Sequence, residues 1–249
     1  MSLEPFAPPG RRPAVDVLGG DDGARLPGPS ALAALPVASG LGLGVATVSE
    51  PCLEPAGPAE AEVAASMPAR RRLEFLAGRW AARRALRAVG LDCGEIPRAG
   101  RLPVFPPGAA ASISHSAGIA VAVARGPGRD LPLGCDLELR PLPRGAARLV
   151  LREDEEGLLS RGCRPTGTAW SVTELFSAKE AAWKALDVRD SACGVGTAPG
   201  SLRDLRAELA GDELRVALRG VPARAVRVRV THVGAGVFSQ VTGWAGRPG

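Results

Sequence analysis

The stretch Leu133-Gly134-Cys135-Asp136-Leu137-Glu138-Leu139 carries the reading of this chain. As a strand, it sends Leu133, Cys135, Leu137 and Leu139 to one face and Gly134, Asp136 and Glu138 to the other. Two carboxylates then point the same way, with Cα atoms about 6.6 Å apart. Like charges that close repel, and a divalent cation relieves the repulsion. Hard oxygen ligands suit Mg²⁺, which keeps waters and takes a few carboxylates plus substrate phosphates. Taken alone, such a pair is more often an exposed alternation of solvated acids.

Further along the chain lies Phe176-Ser177-Ala178-Lys179-Glu180-Ala181-Ala182-Trp183-Lys184-Ala185. On a helix, Phe176, Glu180 and Lys184 form one stripe. Glu180 ahead of Lys184 is also an ordinary surface ion pair, worth a few tenths of a kcal/mol. Two facts weigh against that bland reading. Lys179 and Lys184 are the only lysines among 31 basic residues. Arg and Lys differ in shape, hydration and pKa flexibility, so lysines kept against an arginine-rich background are informative. Trp170, Phe176 and Trp183 also anchor this helix in a chain with only four Trp and five Phe.

On the other side of the acidic strand, Ser112-Ile113-Ser114-His115-Ser116 reads as a hydroxyl- and histidine-bearing turn that could bind an anion. Its hydroxyls could equally bond local backbone. A Ser–His nucleophile pair is the poorer reading, because adjacent residues on extended backbone point apart.

Composition narrows the classes. A chain of 249 residues is one large domain or two small ones. With 45% hydrophobic and 23% charged residues, wholesale disorder is excluded. Five cysteines, an odd number without a CxxC pair, argue against a disulfide framework or zinc finger and for a reducing compartment. The net charge of +5 and pI near 9.4 suit an anionic small molecule or an acidic partner. They are too mild for a nucleic-acid surface, and 4% aromatics without Tyr excludes base stacking.

Met1 to Pro29 is Pro- and Gly-rich and reads as a poorly ordered leader without a signal-peptide layout. The uncharged run Leu26 to Ser49 is too interrupted by Pro27, Pro29, Pro36 and four glycines to span a membrane. A strand is expected near Gly42–Val48, and an arginine-dense helix over Pro68–Val89. Arg70, Arg71 and Arg72 at that helix start oppose the macrodipole, a cost that a recruited anion would offset. Pro103–Pro107 reads as a rigid loop, Ala111–Ala124 as strand, Leu149–Leu159 as a short acidic helix and Trp170–Leu186 as the longest clear helix. Strands are expected at Glu213–Arg219, Ala225–Val233 and Val237–Thr242. Helices and short strands alternate irregularly, which indicates α+β and not a doubly wound sheet.

The combination of a hydroxyl/His segment, a strand DxE and a helical KExxxK resembles the 4′-phosphopantetheinyl transferase superfamily. The likeness is to its long, pseudo-dimeric monomers, and within those to the siderophore-synthetase-activating and actinobacterial branch. It rests on ARRRLEFLAGRWAARRAL (Ala69–Leu86), PVFP (Pro103–Pro106), SISHS, GCDLE and FSAKEAAWKA. Phe105, Ala111 and Cys135 depart from residues usual in that branch, and none of the three is an expected metal ligand.

The resemblance implies two pseudo-symmetric α+β halves with the active site in the cleft between them. We place these at residues 30–126, holding the coenzyme A nucleotide, and 127–249, holding the metal and catalytic helix, with the boundary near Gly126-Pro127-Gly128. It implies transfer of phosphopantetheine from coenzyme A to a serine of an apo acyl or peptidyl carrier protein. Asp136, Glu138 and Glu180 would hold Mg²⁺ (with Mn²⁺ as the alternative), and Glu180 and Lys184 would be catalytic. Arg71, Arg79, Ser114, His115, Lys179, Lys184 and either Arg98 or Arg101 would contact the coenzyme. The same likeness implies a cytoplasmic monomer in secondary metabolism, with neither nucleic acid nor membrane as partner. Two rival readings of the same residues are a metal-dependent phosphohydrolase and a non-catalytic coenzyme-A-binding module.

Overall fold

The computed structural model describes residues 26–100, 102–128, 131–160, 167–186 and 200–246. In chain order the elements are α1 (Pro29–Ala33), β1 (Gly42–Thr47), α2 (Pro58–Ala65), α3 (Ala69–Ala88), β2 (Arg98–Ala99), β3 (Leu102–Pro103), β4 (Ala110–Ser116), β5 (Ile119–Arg125) and β6 (Cys135–Glu138). Then follow α4 (Ala147–Val150), α5 (Val172–Leu186), β7 (Leu205–Ala210), β8 (Glu213–Leu218), β9 (Val221–Val233) and β10 (Gly236–Trp244). The fold is mixed α+β. A three-stranded sheet has the order β1-β5-β4, a five-stranded sheet the order β6-β10-β9-β8-β7, and β2-β3 form a small ribbon.

Strand β5 shows how sequence becomes layers. Its apolar run is continuous, as expected for a strand covered on both faces. Ile119, Val121 and Val123 point into a core shared with Cys135, Leu137, Leu139 and Phe238, which joins the two sheets. Ala120, Ala122 and Ala124 point the other way, against Ala77, Ala81, Ala82 and Ala85 of α3. Small residues on both sides let α3 lie close to its sheet. A Cβ on Gly44 would collide with the carbonyl of Ala81.

The second sheet is covered differently. Leu175, Ala178, Ala182 and Leu186 of α5 pack on Leu205, Leu214, Val216, Val226, Val228 and Val241. Each large aliphatic side chain buried this way contributes roughly 1.5–3 kcal/mol before entropy is counted. The single glutamine ties the segment between α1 and β1 to this sheet. Gln240 donates to the Pro36 carbonyl at 2.6 Å and accepts from the Ala38 amide at 3.2 Å.

Several expectations change. Ser112–Ser116 is not a turn but most of strand β4, and the turn is Ala117-Gly118, both at positive φ (49° and 80°). That geometry closes a two-residue hairpin with the strand twist intact. The acidic helix expected over Leu149–Leu159 divides into α4 and a 3₁₀ segment, Glu153–Leu159, because Leu151 is extended between them. The last helix begins at Val172 and not at Trp170. Helix α2 and strand β7 were not anticipated. Of the leader, residues 1–25 lie outside the described residues. No described helix is long and apolar enough to cross a membrane.

Candidate functional site

A cleft of about 1330 Å³ opens between α3 and the β4 strand on one side and α5 on the other. Its walls are strongly basic. Arg71 and Arg79 reach it from α3, Arg98 from β2 and His115 from β4, while Glu180, Trp183 and Lys184 face it from α5.

The periodicity of α5 explains the last three. Phe176, Glu180, Trp183 and Lys184 form the half-buried stripe of an otherwise core-packed helix. Lys184 Nζ donates to the Cys135 carbonyl and to Asp136 Oδ1, each at 2.9 Å. Burial works against its charge, but Asp136 and Glu180 outweigh it and hold the ammonium above its usual pKa.

Asp136 is 1% exposed. Its Oδ1 accepts from both Lys184 and Ser114 Oγ (2.8 Å), whereas Oδ2 is buried without a hydrogen-bond partner. A bare buried carboxylate oxygen is costly and calls for a ligand. Glu138, two residues on, is half-buried, as is Glu180. The donor set is therefore hard oxygen, which fits Mg²⁺. Among the described residues, no three His, Cys, Asp or Glu converge as a ready-made cage. An ion that completes its shell with waters and substrate phosphates needs none.

At the other end of the cleft, Arg71 Nη1 stands 3.2 Å from His115 Nε2 and 3.1 Å from Glu74 Oε2. The arginines at the start of α3 are thus partly neutralised by Glu74, which softens the macrodipole conflict. Arg79 is 5% exposed, lies 4.7 Å over the Phe75 ring, and has a buried Nε without a partner. Burial first, then Arg98 and Arg83 against the pull of Glu60, push its pKa down to about 10. An anion entering the cleft would relieve that.

Two expected coenzyme contacts are corrected. Lys179 lies one helical face away from Lys184 and is completely buried. Its ammonium is consumed by the carbonyls of Val150 (2.8 Å) and Leu205 (3.0 Å) and by Glu155 at 2.7 Å. Burial lowers its pKa while Glu155 pulls it up. Lys179 is a structural ion, remote from the cleft. Ser114, by strand alternation, turns away from the face that carries His115 and bonds Asp136. Arg101 lies outside the described residues; Arg98 lines the cleft.

Reasoning from the sequence missed Arg125 and Arg224, which also line the cleft. The available signal was a lone arginine closing the apolar run of β5. Arg224 donates to the Leu186 carbonyl at 2.7 Å, so it caps α5 while facing the cavity. Also missed was buried Glu60, which accepts from Arg83 (2.7 Å) and from the Ile96 amide (2.8 Å) and braces α3.

Residues 59–125 match the family model described as 4′-phosphopantetheinyl transferase N-terminal domain. The chain is also similar to enterobactin synthase component D of Salmonella typhimurium, 36% identical over 134 residues, covering 52% of this chain and 54% of the relative. The Escherichia coli O157:H7 protein of the same name is 35% identical over 129 residues, covering 49% and 58%. The chain thus spans about half the length of the curated relatives it matches. The family model lies on α2 through β5, so that part of the chain is similar to the N-terminal domain of 4′-phosphopantetheinyl transferases.

Proposed function

We propose that this protein transfers the 4′-phosphopantetheine group of coenzyme A to a serine of an apo carrier protein, with adenosine 3′,5′-bisphosphate as the second product. The observation that carries this reading is the pairing, in one cleft, of a basic anion pocket with Glu180 and Lys184, the latter held by the buried, half-bonded Asp136. Arg71, His115, Arg79 and Arg98 would hold the nucleotide phosphate. The pyrophosphate would then lie towards α5, where Lys184 neutralises charge. The division into halves at 30–126 and 127–249 belongs to this reading.

The serine oxygen forms the new bond to the β-phosphorus, and the bond from that phosphorus to the bridging oxygen breaks. Glu180 accepts the serine proton, directly or through a water. Asp136, Glu138 and Glu180 would hold Mg²⁺ (or Mn²⁺), which would supply Lewis-acid polarisation of the diphosphate. The remaining work is positioning and charge neutralisation. Carrier domains of acidic surface suit the chain's net charge of +5. A monomer acting in the cytoplasm on carriers of secondary metabolism completes the proposal.

The test is incubation with coenzyme A, Mg²⁺ and a panel of apo-carriers, read by intact-protein mass. A gain equal to one phosphopantetheine group, abolished by Glu180→Gln, supports the reading. Steady coenzyme A breakdown without a carrier would make the protein a phosphohydrolase. Binding without either reaction would leave a coenzyme-A-binding module.

A further inference from the structure

Strand β4 is an edge of the three-stranded sheet, and β6 is an edge of the five-stranded one. Edge amides need partners when buried. Here side chains supply them. Ser112 Oγ accepts from the Cys135 amide (3.0 Å), Ser114 Oγ from Leu137 (3.3 Å) and Ser116 Oγ from Leu139 (3.1 Å). Alternating hydroxyls thus replace a backbone ladder across the seam. As acceptors the three serines are equivalent, but as a donor Ser114 is singled out. Its proton goes to Asp136 Oδ1 at 2.8 Å, the oxygen already held by Lys184. The Leu137 amide fixes the Ser114 hydroxyl, and Ser114 and Lys184 together pin Oδ1. Oδ2 is left as the open, buried oxygen.

We propose that Ser114 is a positioning residue, clamping one oxygen of Asp136 so that the other is presented to a divalent cation. The next residue on β4, His115, faces the anion end of the cleft. One rigid strand therefore sets both ends of the site. This inference rests on the function proposed above.

The test uses Mn²⁺ as probe, titrated into the protein with coenzyme A and followed by the electron paramagnetic resonance signal of free Mn²⁺. Ser114→Ala should weaken Mn²⁺ binding roughly tenfold to a hundredfold, the usual cost of losing a partner of a metal ligand. Ser116→Ala removes an equivalent seam acceptor and should lower the unfolding temperature while shifting Mn²⁺ binding less than about twofold. Ser114→Thr, which keeps the donor, should restore binding. If Ser114→Ala does not fold, Ser114→Cys, with only a weak S–H donor, should show the same loss. Equal weakening in the Ser114 and Ser116 variants, or none in either, overturns the positioning role while leaving the proposed function standing. Failure of the unmodified protein to take up Mn²⁺ and to modify a carrier removes the function and this inference together.

Discussion

The β1–α3 and β6–α5 units use one clasp for two purposes. In the first, Gly44 lets the strand approach Ala81 and Ala85 of the helix; in the second, Gly134 does the same against Ala181 and Ala185. In the first, Arg84 donates to the Val45 carbonyl at 2.5 Å; in the second, Lys184 donates to the Cys135 carbonyl at 2.9 Å. The helices even read alike, Ala81-Ala82-Arg83-Arg84-Ala85-Leu86 against Ala181-Ala182-Trp183-Lys184-Ala185-Leu186. Laid over each other on the glycine and the cation, Asp136 falls on Ala46, Glu138 on Val48 and Glu180 on Trp80. The cation of the first unit closes instead on Glu50, at 2.7 Å near the surface. A helix-on-strand clasp needs only a small residue, a cation and a carbonyl. In the proposed function the chemistry is added by three carboxylates that one unit carries and the other lacks.

The sharpest way to break this comparison is to remove both cations. Lys184→Met should lower the rate of carrier modification by about 10²–10³-fold, the scale of losing one preorganised charge at a reacting phosphate. Arg84→Met should leave that rate within about twofold and cost about 1 kcal/mol of stability, since its ion pair with Glu50 is partly exposed. Rates from carrier mass shifts and melting curves would decide, and equal rate losses would make the two clasps functionally alike.

A second comparison sets Lys179 against Arg79. Lys179→Met strips a fully buried ion from Glu155 and should cost about 3 kcal/mol of stability, with coenzyme A affinity unchanged in calorimetry. Arg79→Met should reverse that pattern, losing roughly tenfold in affinity, the worth of one charge-assisted bond. A large affinity loss in Lys179→Met would return that lysine to the site.

The smallest effect concerns pH. The hydrogen bond from Arg84 holds the Glu50 carboxyl below its ordinary 4.5. Its contribution is present above pH 4.5 and lost as pH falls through the lower folded value. Lys184 is held above its ordinary 10.5, so its contribution is complete below that pH and lost as pH rises through the folded value. Glu50→Gln should therefore flatten only the acid limb of stability against pH, and Lys184→Met only the alkaline limb. Both variants acting on the same limb would contradict the assignment.

Much of the site was legible because it is local. The acidic strand and the α5 stripe follow from backbone periods of two and 3.6, which depend on near neighbours alone. Ser112–Ser116 was misread as a turn because hydroxyls favour turns as readily as a seam. Their partners, the β6 amides, lie across the fold. Arg224 escaped for a similar reason: no local pattern distinguishes a cleft arginine from a solvated one, and Arg125 had only its place at the end of the apolar run of β5 to mark it.

From the sequence alone came the class of fold, the paired acids on one strand face, and the two lysines worth asking about. Lys179 and Lys184, five positions apart, had to face different directions by helical geometry. Only packing decided which met Glu155 in the core and which met Asp136 at the cleft. A backbone period fixes the angle between two side chains, but the surroundings of each are set by strands brought in from distant parts of the chain.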